Sequence, residues 1–245
     1  MSDEGKAKNW WSVGDTKSVT INGKVGATTI SSLKVDAFII GFNHNSGKEG
    51  SNRIHFLLGK ISGKFVGLVD SSYGSTTSTS GAFTMNTSNT NSGGWGSSQM
   101  RSKVLGSASS PTSPTANTLM AALPSDLRAV MKSCTKYTDN NGGGNTASNV
   151  SSTTDYLFLL SEYEVFATHQ YCNDAEPNYQ AQYDYFKAGN SKVANKHSAT
   201  GTAAVWWLRS PISNYYYYFC AVSSSGSLDF NGANYAYGVV PGFVV

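Results

Sequence analysis

The residues able to do chemistry in this chain are few and far apart. His44, His55, His169 and His197 stand alone, with no pair four residues apart of the kind a helix uses to grip zinc, so they read as surface or packing residues. Cys134, Cys172 and Cys220 are an odd number at wide spacings without a C-x-x-C. That pattern argues against a disulfide framework and against a zinc site, and points to synthesis in a reducing compartment. No serine sits in a G-x-S-x-G, there is no phosphate-binding loop, and Gly142-Gly143-Gly144 follows a polar stretch instead of a strand. Glu162 and Glu164 have the types for paired acid/base work, but Ser161, three residues before Glu164, makes a capping box the better use of that glutamate. The chain is therefore expected to be no enzyme, with no metal site and no cofactor.

The elements around these residues are short. Segments 18–21, 37–42, 54–58 and 65–69 are rich in β-branched and aromatic residues and bounded by Gly, Asn or Ser, so strands are expected there. Residues 71–92 are a Ser/Thr/Asn run, expected to be a loop and a spacer, and residues 137–153 a second loop. Gly93-Gly94-Trp95 leads into a serine-capped helix over 97–105. Behind Pro124 a further helix places Leu127, Val130 and Met131 on one apolar face. A buried strand over 156–160 runs into the capping box. The tail returns to strands at 206–208, 219–223 and 237–240, with Ser224-Ser225-Gly226-Ser227 as a hairpin turn. Cys220 and Val222 are expected to face one way, Cys220 into the core, and Phe219, Ala221 and Ser223 the other.

Together these features describe an α+β chain of small antiparallel sheets, two or more short helices and long irregular loops. It divides into a polar leader over 1–9 and a single domain over 10–245. Charged residues are 13% of the total, against about 25% in an average protein. The net charge of +3 comes from scattered basic residues, so no nucleic-acid partner is expected. No stretch reaches the roughly 18 apolar residues of a membrane span and no signal peptide is seen, so no membrane insertion is expected. The oligomeric state is not read from the sequence.

The aromatic run Tyr215, Tyr216, Tyr217, Tyr218 and Phe219 points to a partner. A strand sends alternate residues to opposite faces and each buried phenol needs a hydrogen bond, so at least half of the cluster is expected at the surface. Aromatic side chains offering about 150–250 Å² each would supply most of the ~800 Å² that one side of a standard interface contributes.

The pattern Trp206-Trp207-Leu208-Arg209-Ser210-Pro211, a variable stretch with a glycine turn, then Gly238-Val239-Val240-Pro241-Gly242-Phe243, resembles a domain of phage and gut bacteria. Gly93-Gly94-Trp95, Met100-Arg101 and Leu123-Pro124 extend the resemblance over about 10–245. Members of that group include the variable proteins of diversity-generating retroelements, in the formylglycine-generating-enzyme branch of the C-type lectin fold. The resemblance implies a C-type lectin-like scaffold with a hypervariable region over about 213–237. It further implies non-catalytic recognition of a protein or glycan ligand on a cell surface, from a phage virion or bacterial surface. Members usually carry arginine where this chain has Val240, which removes any ion pair of that arginine. The branch also includes enzymes that bind copper through paired cysteines, an arrangement that Cys134, Cys172 and Cys220 do not match.

Adenine-directed mutagenesis of AAY codons cannot reach Lys, Glu, Gln, Met or Trp. These make up 33 of the 245 residues, yet residues 213–237 contain none where about three would be expected. The candidate ligand residues are Asn214, Tyr215, Tyr216, Tyr217, Tyr218, Phe219, Ala221, Ser223, Asp229, Phe230, Gly232, Tyr235 and Ala236. The alternative is a calcium-dependent carbohydrate-binding lectin module on Glu176 and Asn178, because Glu176-Pro177-Asn178 matches the sugar-ligating tripeptide of such lectins, although its usual W-N-D partner is missing.

Overall fold

In the computed structural model, which describes residues 5–245, β1 (Thr16–Val25) and β2 (Thr28–Phe42) form a long antiparallel hairpin. The single turn α1 (Ser46–Glu49) leads to a second hairpin of β3 (Ile54–Ile61) and β4 (Lys64–Gly67). A helical middle follows, with α2 (Gly94–Ser97), a π-helical turn at Met100–Leu105, α3 (Leu119–Ala122) and α4 (Ser125–Val130). Next come the hairpin of β5 (Cys134–Asp139) and β6 (Val150–Asp155), then β7 (Leu157–Phe158), α5 (Glu162–Phe166), a 3₁₀ turn at Glu176–Tyr179, and α6 (Asp184–Lys187). The chain closes with β8 (Ala194–Lys196), β9 (Ala199–Ala204), β10 (Trp206–Pro211), β11 (Tyr218–Val222), β12 (Leu228–Gly232) and β13 (Gly242–Val244). This is a mixed α+β architecture of short helices and several sheets. Among the described residues, no helix is long and apolar enough to cross a membrane.

The largest sheet runs β1-β2-β3-β4-β8-β9, with the β4–β8 pair parallel. β13 returns to it, pairing Phe243 with Phe56 of β3 and with Leu157 of β7. The carboxyl end is thereby stitched into the amino-terminal sheet. The order β10-β11-β12 makes a separate three-stranded sheet, and β5-β6 a third.

One core joins the sheets, and its three tryptophans show how. Trp95, Trp206 and Trp207 are buried, and each indole N–H finds an acceptor, at Asp155 Oδ2 (2.9 Å), Lys192 O (2.9 Å) and Phe83 O (3.1 Å). A buried donor left unpaired would cost about 1–3 kcal/mol. The Gly93-Gly94-Trp95 motif follows from this packing. Gly94 has φ +52°, and a Cβ on it would lie 2.0 Å from Asp139 O, so only glycine lets Trp95 reach Asp155, whose other oxygen takes Arg101 Nε at 2.8 Å.

Several expectations are revised. The helix over 97–105 is broken, because Ser98 turns to extended backbone while its hydroxyl bonds to Trp95 O (2.9 Å). α4 forms where expected, yet Val130 is 55% exposed and only Met131, just past the helix, is buried. The run over 71–92 is no spacer: Phe83, Met85 and Asn91 are buried in it, and Tyr73 and Thr76 bridge to Ala236 and Tyr235. The ends of the loop over 137–153 belong to β5 and β6. Ala7, placed in the leader, is buried with Ile39 and Ile54. Finally, Phe219, Cys220, Ala221 and Val222 are all buried, because β11 is the middle strand of its sheet and is covered on both faces.

Candidate ligand-binding face

The loop from β10 to β11 carries the tyrosines, and its backbone is fastened without using their side chains. Asn91, itself buried, donates from its side-chain amide to Tyr215 O (2.6 Å) and Tyr218 O (3.0 Å), and from its backbone to Tyr216 O (2.9 Å). Ala233 N–H takes Tyr217 O at 2.8 Å, and Ile212 N–H shares Tyr218 O at 3.0 Å. Every carbonyl from Tyr215 to Tyr218 thus has a partner.

Asn91 rests in turn on the glycine cluster. Gly142 has φ +74°, and a Cβ there would lie 2.1 Å from Asn91 O; the Tyr216 ring packs against Gly143 in the same way. Asp139 Oδ1 holds this turn by accepting from Asn141 N (2.9 Å) and Gly142 N (2.8 Å). The glycines therefore bring two loops into contact.

With their carbonyls held, the side chains are free to face water. Tyr215, Tyr216 and Tyr217 are 59%, 65% and 52% exposed and Phe230 is 38% exposed. Asn214 is exposed too, with a left-handed φ of +63° that asparagine tolerates. Tyr218, Ser223, Asp229 and Tyr235 are half-buried. Tyr218 sits between the loop and β12, with its ring 6.1 Å from Tyr215, 6.3 Å from Tyr217 and 5.3 Å from Phe230. Tyr235 stacks on Tyr237, which packs against Trp207, and so lies toward the core. Phe219, Ala221, Gly232 and Ala236 are buried and leave the ligand-facing set. Phe219 and Ala221 fill the interior of a covered strand, Gly232 abuts Asn89 and the Tyr235 ring, and Ala236 pairs with Tyr73.

Tyr171 joins the face although the sequence reading passed it over. Its ring stands 5.0 Å from Phe230, and its carbonyl accepts from Ser213 N–H at 2.8 Å. Glu162 positions it: this buried carboxylate accepts the amides of Gln170, Tyr171 (3.1 Å) and Cys172 (2.8 Å) and the Cys220 thiol (3.4 Å). The one legible signal was a glutamate in the first turn of a capped helix. The capping box itself is present, with Ser161 Oγ accepting Glu164 N–H at 3.1 Å and Glu164 Oε2 accepting Ser161 N–H at 2.9 Å.

Glu176 and Asn178 lie in different surroundings, one buried and the other exposed. The Glu176 carboxylate is buried and accepts from Asp139 N–H (3.0 Å), Ser210 Oγ–H (2.6 Å) and the Gln180 amide (3.1 Å), while Asn178 is exposed. Burial pushes its pKa up to about 7 against these hydrogen bonds. It is a structural strut under β10.

A second constellation is closed to solvent. Arg209 of β10 donates to both oxygens of Glu164, at 2.9 Å through Nη2, and to Leu159 O at 2.8 Å. Lys136 bridges Glu164 (3.0 Å), Glu49 (2.7 Å) and the Tyr183 hydroxyl (2.8 Å). Burial alone would raise the Glu164 pKa, but Arg209 and then Lys136 outweigh it and hold the carboxyl well below its usual range. His44 and His55, spaced as if unrelated, meet here with rings 5.5 Å apart. Burial lowers both, His44 to about 3, so both are neutral near pH 7.

The fold and this face define an α+β protein with a braced, aromatic, weakly charged surface. Residues 76–245 match the family described as Domain of unknown function (DUF6273), and the chain belongs to that family. No curated protein and no solved structure matches the chain.

Proposed function

We propose that the protein is a non-catalytic ligand-binding protein of C-type lectin-like fold. Its face around Tyr215, Tyr216, Tyr217, Tyr218 and Phe230 recognises a protein or glycan on a cell surface, from a phage virion or a bacterial surface, and a retroelement diversifies it. One observation carries the reading: the loop is fixed by Asn91 and by backbone hydrogen bonds, so its side chains can be exchanged without removing what holds it. Tyrosine suits such a face, since it offers area and a hydroxyl with few rotatable bonds to freeze. Asp229 is the one charged member of the candidate set, so recognition rests on ring stacking and neutral hydrogen bonds.

The test is a displayed library randomised at Asn214, Tyr215, Tyr216, Tyr217 and Phe230 and selected on bacterial cells. Most members should stay folded, with losses of about 0.5 kcal/mol or less per exposed site, and enrichment should yield binders of new specificity. General loss of folding would overturn the reading. The coding DNA should also have a near-copy of the segment for residues 213–237 close by, differing mainly where the copy carries adenine.

A further inference from the structure

Away from the ligand face, donor side chains of three elements meet behind α1. We propose that Glu49, His55 and Cys134 form a zinc-class metal site, with His44 as the fourth donor, that clamps the amino-terminal sheet to the rest of the chain. One ligand atom from each of Glu49, His55 and Cys134 lies within 4.8 Å of the other two, and all three residues are buried. Cys134 Sγ is 3.5 Å from Glu49 Oε2, His55 Nδ1 is 3.8 Å from the same oxygen, and His44 Nε2 is 3.7 Å from Oε1. Bonds of about 2.0–2.3 Å to a tetrahedral zinc set donors roughly 3.3–3.8 Å apart, so the movements required of Glu49, His55 and Cys134 are small, while His44, which groups with Glu49 and Glu164, has to swing in from beside Glu49.

A second observation points the same way. The Nε2 atom of His44, the one facing Glu49, has no hydrogen-bond partner, although the residue is only 7% exposed, while His55 Nδ1 shares the Tyr183 hydroxyl at 3.0 Å and would exchange it for the metal. Buried polar atoms are rarely left so. Sulfur, nitrogen and oxygen donors together suit zinc or cobalt, not calcium or magnesium.

The charge balance is workable. Lys136 touches Glu49, and it keeps Glu164 and the Tyr183 hydroxyl as partners when Glu49 turns to a metal. The Cys134 thiol, whose pKa burial pushes far up in the metal-free chain, gives its proton to solvent as the sulfur–metal bond forms, so a divalent ion adds a single net positive charge. Glu49 and His55 precede the family-matched residues 76–245 and Cys134 lies within them, so the ion would bind the two parts together. The expectation of no metal rested on spacing along the chain, whereas these donors become neighbours through α1, β3 and β5.

The experiment is a cobalt(II) titration of the whole purified chain after chelator treatment, read by absorption spectroscopy, with zinc content measured by mass spectrometry. The expected result is one ion per chain and a thiolate-to-cobalt charge-transfer band that survives Cys172→Ser and Cys220→Ser and disappears in Cys134→Ser. Zinc at a hundredfold excess over Kd should raise Tm by roughly 5–10 °C. A wild-type chain that takes up no cobalt, or whose cobalt spectrum lacks the thiolate band, overturns the proposal without any variant having to fold. Unchanged affinity in His44→Gln would remove His44 as the fourth donor.

Discussion

Single side chains in this protein repeatedly close contacts between segments far apart in sequence. His197 is a case with a pH consequence. Its Nδ1 accepts the N–H of Val69 at 3.0 Å, which only the neutral ring can do, while its backbone N–H donates to Gly67 O at 3.0 Å. Burial lowers its pKa from 6.5. The folded chain thus resists a proton that the unfolded chain accepts, so this stabilisation is complete above pH 6.5 and is lost as pH falls below it. His197→Ala should lower stability by about 1 kcal/mol at pH 8 and by less at pH 5, measured by urea unfolding. An equal gap at both pH values would disprove the role. The sequence showed an isolated histidine and nothing of Val69, because the pairing partner is set by the parallel contact of β4 with β8.

At the scale of elements, the decisive arrangement is the mount beneath the tyrosine loop. Asn91 replaces a strand partner by offering its side-chain amide to the carbonyls of Tyr215 and Tyr218. Asn91→Ala should cost about 1–2 kcal/mol, since the part-buried carbonyls of Tyr215 and Tyr218 lose this donor. It should also speed hydrogen exchange in residues 213–218 and weaken ligand binding with every tyrosine intact. Unchanged exchange in that loop would show that the mount is not needed. How far each element was readable follows from how local its cause is. The capping box at Ser161 and Glu164 was legible because its two hydrogen bonds span three residues. The serine turn was legible too, closing through Ser223 N to Ser227 O at 2.8 Å. The role of Asn91 was not, since it lies in a run of Ser, Thr and Asn where nothing marks one amide as buried. The two-faced burial of β11 escaped alternation for a related reason: residues 219–222 carry no polar position that would have marked an open face or contradicted one.

For the molecule as a whole, strand pairs and an ion pair join the amino-terminal sheet to the family-matched residues. β13 pairs with β3, β4 pairs with β8, and Lys136 is neutralised in part by Glu49. Residues 76–245 expressed alone should therefore lack a cooperative thermal transition, while the whole chain unfolds in one. Calorimetry on both would decide, and a sharp transition in the shorter piece would show that the first sheet is an accessory. The sequence by itself determined the α+β character, the capped α5, the tight serine turn and the exposure of at least half of the aromatic run, because these depend on composition, on hydrogen bonds between near neighbours, or on a tyrosine run too polar to bury whole. Only the tertiary structure decided that Glu176 is a strut, that Phe219, Ala221, Gly232 and Ala236 face inward, and that Glu49, His55 and Cys134 share one buried pocket of charge. Those outcomes depend on which strands lie beside one another, and in this chain the pairings that matter join its first third to its last residues.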